Sequence, residues 1–230
     1  VIAPTLTTRQ LDERLREAGV HHFSALEVTR LQNAGARRRV GAATVADLPA
    51  VMLDTVIALA LFLEIVRARA SEISGRDHKV SVLGWYRPGA DDSGARGWRG
   101  DYNVACGGSK GSSHERAAGV DLRSGTSQAD LSQALLEVWR DTPWAAGLGT
   151  YAWGRRHVDL VHGDGKLARH WKSPLVSRQL GAVEIGNRVK TQRAALDDLG
   201  CETVRPPSGV WMVRDFDSRI VVADMARRLR

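Results

Sequence analysis

The stretch GSSHERAAGVDLR, residues 111 to 123, sets His114 and Asp121 seven positions apart. A later stretch, RRHVDLVH, residues 155 to 162, adds His157 and His162 around Asp159. Zinc in proteins takes imidazole, carboxylate or thiolate ligands, and a hydrolytic zinc needs three protein ligands with one position open for water. Thiolates cannot serve here. The chain has only Cys106 and Cys201, almost a hundred residues apart and without CxxC spacing. Histidine and acid must therefore do the work, with His157 or His162 as the third ligand beside His114 and Asp121. Side chains alternate along an extended strand, so His157, Asp159 and Val161 share one face and His162 takes the other. That face offers a ligand and a nearby acid together, which favours His157.

These residues need elements to position them. TTRQLDERLREA, residues 7 to 18, reads as a charged helix with Thr at its start and Gly19 at its end. Ser24 caps a short helix that ends near Gly35, and ARRRVGAATVADLPA, residues 36 to 50, reads as a basic loop. The most apolar run, residues 48 to 66, predicts a buried helix from about Leu48 to Ala70. Asp54 and Glu64 interrupt it, so no membrane span is expected. KVSVLGWY, residues 79 to 86, is a strand ended by Pro88, and residues 89 to 101, with four glycines, form an exposed loop. A short helix or turn at Tyr102 leads to the Gly/Ser loop that delivers His114, and VDLR is the strand carrying Asp121. TSQADLSQALLEVWRDT is a helix capped by Thr126, with apolar residues at 131, 135, 138 and 139. LGTYAW and RRHVDLV form two strands, a hairpin around Gly154.

With 230 residues, 43% of them hydrophobic and 26% charged, the chain is a folded protein rather than a disordered one. Its formal charge of +7 and pI near 10.0 favour polyanions, either nucleic acid or bacterial cell-wall material. No nucleic-acid reading motif accompanies that charge. The character changes after LARHWKSP, and a boundary near Ser173 and Pro174 divides residues 1–173 from a smaller segment, 174–230. That segment reads as strand, helix, strand, strand, helix.

The run YRP…YN…GGSKGSSHERAAGVDL…GLGTYAWGRRHVDL…ARHW resembles the zinc D-alanyl-D-alanine carboxypeptidases and murein endopeptidases, whose fold is shared with the Hedgehog signalling domain. Their motif is Ser-x-His-x-x-Gly-x-Ala-x-Asp, preceded by a Ser-Gly-Tyr-Arg strand and completed by a late His. The branch containing murein endopeptidase K is most similar, since its late motif reads His-x-Asp followed shortly by Arg-His-Trp. The match covers roughly residues 20 to 172. The resemblance implies an α+β fold, a small antiparallel sheet flanked by helices, with a small α+β extension behind it.

It further implies one zinc ion on His114, Asp121 and His157, with Arg87 and Ser112 on the substrate. The partner would be peptidoglycan, without nucleic acid, and the reaction hydrolysis of amide bonds in murein stem peptides. Endopeptidase cleavage of cross-links comes first and D,D-carboxypeptidase activity second. The alternative is a non-catalytic wall-binding or structural module, for example in a phage tail or injection device. Either places the chain in the periplasm or cell wall, or with a phage, and no signal peptide is visible in it. The C-terminal segment resembles the SPOR type of peptidoglycan-binding domain.

Three departures stand out. Ala117 replaces the family's Gly and Gly119 its Ala. Residues 89 to 101 make a longer stretch than usual. The family's general base, three residues before the last zinc histidine, is here Gly154. Asp159 is the nearest catalytic replacement, with His162 a weaker one, and Asp159 could instead orient a ligand.

Overall fold

The computed structural model describes residues 4–151, 154–160, 182–205, 212–213 and 218–229. β1 (Thr5–Leu6) leads into α1 (Thr8–Glu17), which begins with a capping box: Thr7 Oγ1 accepts from the Gln10 amide while Gln10 Oε1 accepts from the Thr7 amide. Ser24 and Glu27 repeat the device on α2 (Ala25–Thr29). This helix stops well short of Gly35. Arg30 turns extended and bridges to Val45, which takes the chain out of the helix. The expected basic loop contains α3 (Ala34–Val40) instead. Asn33 Oδ1 accepts from the Ala36 amide at 2.9 Å, and Gly41 closes the helix at φ 73°.

β2 (Leu48–Pro49) pairs antiparallel with β1, placing Leu48 opposite Leu6. This pairing delays the long helix, so α4 (Leu53–Ser74) starts after a 3-10 turn at Ala50–Met52. Every residue from Val56 to Leu63 is buried, as a helix apolar on all sides should be. Among the described residues no helix is long and apolar enough to cross a membrane. Glu64 is tolerated in this setting because its carboxylate is fully engaged. It accepts from the His21 and His22 amides at 2.7 Å each and meets His22 Nδ1 at 2.6 Å.

β3 (Val80–Gly84) follows. The expected loop after Pro88 contains α5 (Ala90–Ala95), with Asp91 and Asp92 in its first turn, where carboxylates suit the helix dipole. Tyr86 donates its hydroxyl to Asp92 at 2.7 Å; burial first, and then this bond, push the phenol's pKa up. Then come α6 (Tyr102–Ala105), β4 (Gly119–Ser124) and α7 (Gln128–Asp141). Ser127, not Thr126, caps α7 by accepting from the Asp130 amide, while Thr126 Oγ1 accepts from the Lys79 amide at 3.1 Å. The four predicted core positions of α7, Leu131, Leu135, Val138 and Trp139, are buried.

β5 (Ala145–Thr150) and β6 (Arg156–Leu160) form the expected antiparallel hairpin, with Gly149 opposite His157. α8 (Ala182–Asp197), β7 (Thr203–Val204), β8 (Met212–Val213) and α9 (Ser218–Arg228) complete the chain. The helix-strand-strand-helix order follows expectation. The strand expected over residues 175 to 183 lies outside the described residues except for Ala182 and Val183, which belong to α8. The boundary at Ser173 and Pro174 also lies outside them.

The fold class is α+β, as expected: a small antiparallel sheet in the order β3-β4-β6-β5, with helices around it. By its internal contacts the chain divides into two compact units. One comprises residues 1–64, 82–121 and 222–230, the other 65–81 and 122–221, with the divisions falling inside β3 and β4 as well as α4 and α9. The first buries Leu11, Leu15, Phe23, Phe62, Trp85 and Tyr86. In the second, Arg188 on α8 donates to the Arg140 carbonyl at 3.1 Å and to the Thr142 carbonyl, with its guanidinium 4.9 Å over the Trp139 ring. A cation thus satisfies carbonyls at the end of α7.

Candidate metal centre

His114 belongs to a 3-10 turn, Ser113–Arg116, rather than to an open loop. Ser112 starts the turn by accepting from the His114 amide at 3.3 Å. The turn is tied to the strand end beside it. His114 O accepts from the Arg87 amide at 3.0 Å, and Trp85 Nε1 donates to Ala117 O at 2.8 Å. The imidazole is buried, with Nδ1 2.7 Å from the Trp85 carbonyl oxygen. A carbonyl can only accept, so Nδ1 donates to it, and it is Nε2 that the neutral ring would offer as a ligand atom.

The turn ends at Ala117, whose φ of 54° is the only left-handed backbone among the described non-glycine residues. This is the position at which the resemblance implies Gly.

Two residues that the sequence reading did not single out brace the loop before His114. Glu115 accepts from Asn103 Nδ2 at 2.9 Å and from the Gly111 amide at 3.1 Å, and Asn103 Nδ2 also donates to Ser109 O at 2.8 Å. Asn103 is fully buried. A polar side chain beside Tyr102 in the YN motif was the available signal.

Asp121 is buried on β4, with Oδ2 3.5 Å from His114 Nε2. Arg87 pairs with the same oxygen through Nη2. Gly84 makes room for this arrangement, because a Cβ there would collide with Arg87 Nη2. The resemblance implies a place on the substrate for Arg87, and the structure gives it a contact with the Asp121 carboxylate.

On β6, His157 and Asp159 share one face, as strand alternation requires: His157 Nε2 and Asp159 Oδ2 are 3.4 Å apart. Both are buried, and Asp159 Oδ1 accepts from the Gly147 amide at 2.6 Å. Gly147 is needed there, since a Cβ would come within 2.7 Å of Asp159 Oδ1.

His114, Asp121 and His157 each offer one ligand atom, and these atoms lie within 4.8 Å of one another. This group could hold a metal ion. Two imidazoles and one carboxylate, buried and with His114 Nδ1 already engaged by a carbonyl, form a donor set that suits a metal with a further open position. His162 lies outside the described residues. Set against models of protein families, curated proteins and solved structures, the chain matches none of them.

Proposed function

We propose that this chain is a zinc-dependent peptidoglycan peptidase that hydrolyses amide bonds of murein stem peptides, with cleavage of cross-links its first reaction. One observation carries the reading. The three residues named by the motifs, His114, Asp121 and His157, come from a turn and two strands and yet form one buried group. Removal of the terminal D-alanine is the alternative reaction at the same site. The reading places the protein at the cell wall or with a phage that attacks it.

Zinc on this group would supply Lewis acidity toward the scissile carbonyl and make water a competent nucleophile near neutral pH. The chain's own side chains do the rest. His114 presents Nε2 because Nδ1–H is engaged by Trp85. Arg87 fixes the direction of Asp121 through Nη2, and the guanidinium's remaining donors are those a substrate carboxylate or carbonyl would engage. Ser112 uses its oxygen lone pair on the His114 amide, which leaves its hydroxyl proton for substrate. Asp159 has two roles open to it. Its bond to Gly147 and its approach to His157 support orientation of the ligand. As general base it would take the proton on Oδ2, since Oδ1 is engaged.

A second reading, a wall-binding module without turnover, is favoured by one observation. Gly154 has φ 80°, a backbone that disfavours the Glu or Asp found there in the family.

The test is zinc content of the purified chain beside His114→Ala, followed by digestion of purified peptidoglycan and mass analysis of the products. One zinc per chain, lost in the variant, with muropeptides released, supports the peptidase and identifies the bond. Zinc without release supports the binding module. Absence of zinc after reconstitution overturns both.

A further inference from the structure

Several arginines of this protein, Arg9, Arg14, Arg67, Arg69 and Arg87 among them, contact carboxylates. Five arginines without an acid partner among the described residues gather at one place. Arg37, Arg38 and Arg39 form the last turn of α3, and the Arg99 amide donates to Val40 O at 2.8 Å, which brings Arg99 to the same helix end. Arg96, three residues earlier, lies 5.6 Å over the Trp98 ring. The side-chain partners they do have are uncharged: Thr44 Oγ1 for Arg37, the Ala105 carbonyl for Arg39 and the Asp47 carbonyl for Arg96. Among the described residues none of the five makes an ion pair with an acid. Arg38, Arg39 and Arg99 are exposed. Cations in the last turn of a helix stabilise it, which accounts for part of the α3 cluster. It does not account for Arg99, which lies outside both α3 and α5, whereas Arg96 is the C-cap of α5.

We infer that this surface, the end of α3 with residues 96 to 99, docks a phosphodiester polymer of the cell wall, a polyol-phosphate chain; the inference rests on the proposed action at the wall. Guanidinium forks match phosphate oxygens bidentately, and unpaired exposed arginines meet them without first breaking an internal ion pair. Nucleic acid fits less well. The patch's aromatic, Trp98, is only half-exposed, is overlaid by Arg96 and meets Tyr102 edge-on at 6.5 Å, so it offers no open platform for base stacking. The surface therefore grips charge without reading bases. Docking would hold the enzyme on its insoluble substrate while stem peptides are processed.

The experiment measures binding of the full chain to poly(glycerol phosphate) and to duplex DNA over a range of salt concentrations. Arg38→Gln/Arg99→Gln is compared with Arg9→Gln/Arg14→Gln, which removes the same charge from α1. Unfolding temperatures and zinc content check that each protein is intact. The polymer should bind the wild type with affinity that falls as salt rises. The first pair should weaken binding at least about tenfold and flatten the salt dependence. The second should change it by less than about twofold. Arg38→Lys/Arg99→Lys should retain most of the affinity.

No binding at low salt overturns the inference, as does an equal loss in both glutamine pairs, which would reflect net charge alone. Tighter binding to duplex DNA overturns it in favour of a nucleic-acid surface. Muropeptide release from polymer-free peptidoglycan, measured separately, reports on the peptidase alone.

Discussion

The Nδ1 atom of His114 lies 2.7 Å from the carbonyl oxygen of Trp85, and neither partner is open to solvent. A backbone carbonyl cannot give up its place as a side chain can, so the tautomer of His114 is fixed by the fold itself. The consequence is measurable. Long-range nitrogen-proton spectra of the metal-free protein should show His114 protonated at Nδ1. A spectrum with Nδ1 bare would remove His114 from the ligand set in the form described.

The relation between His157 and Asp159 leads to a second expectation. Asp159→Asn keeps the size of the side chain and its acceptor for Gly147, and removes the charge beside His157. Zinc affinity measured by competition with a chelator should fall about 10- to 100-fold, the usual loss when a ligand's orienting partner is removed. Gly147→Ala should act in the same direction, because its Cβ would push on Asp159. Unchanged affinity in both would leave Asp159 without an orienting role and return weight to the general-base assignment.

Local chemistry explains which features the sequence disclosed. Thr7 and Ser24 were legible as caps because each bonds to a residue three positions away. Asn33 is a cap of the same kind and Gly41 a left-handed C-cap, but the three consecutive arginines between them read as charge rather than as a helix. Glycines hid α5 in the same way. The candidate group was legible because ligation restricts residue type: His114 and Asp121 stand out by identity and spacing, and side-chain alternation along β6 favours His157 over His162. The pairing of Arg87 with Asp121 joins residues 34 positions apart across β3 and β4, and nothing in either local segment encodes it.

Ala117 is a position where magnitudes decide. Its φ of 54° costs a non-glycine residue about 1–2 kcal/mol, which Gly would recover. Ala117→Gly also loses a fully buried methyl, about 0.8 kcal/mol, and frees the unfolded chain by about 0.4–1 kcal/mol. These terms nearly cancel. Stability from chemical denaturation should change by less than about 0.5 kcal/mol. Ala117→Val meets the full left-handed penalty of a β-branched residue in a buried turn and should lose more than about 2 kcal/mol. A large gain from Gly would mean that the turn is more strained than its backbone angle indicates.

The buried His78 gives stability a pH dependence of its own. Its Nε2 lies 2.8 Å from Ser124 Oγ, and burial lowers its pKa, outweighing the carboxylate of Asp130, which raises it, while Arg76 and Arg67 lower it further. The folded state therefore prefers the neutral ring more than the unfolded chain does. The sign follows from proton counting. Above the unfolded pKa of about 6.5 neither state binds the proton, and the full contribution is present. As pH falls below that value the unfolded chain takes up the proton first, and stability declines until the folded pKa is passed. Below it the loss is complete and constant. The wild type, compared with His78→Asn by denaturation from pH 8 to pH 4.5 with zinc held saturating, should lose its advantage on the acid side. The slope for one proton is at most about 1.4 kcal/mol per pH unit. A difference between the two proteins that stays flat across this range would mean that His78 has the same pKa folded and unfolded, and that its hydrogen bond to Ser124 offsets the cost of burying the ring.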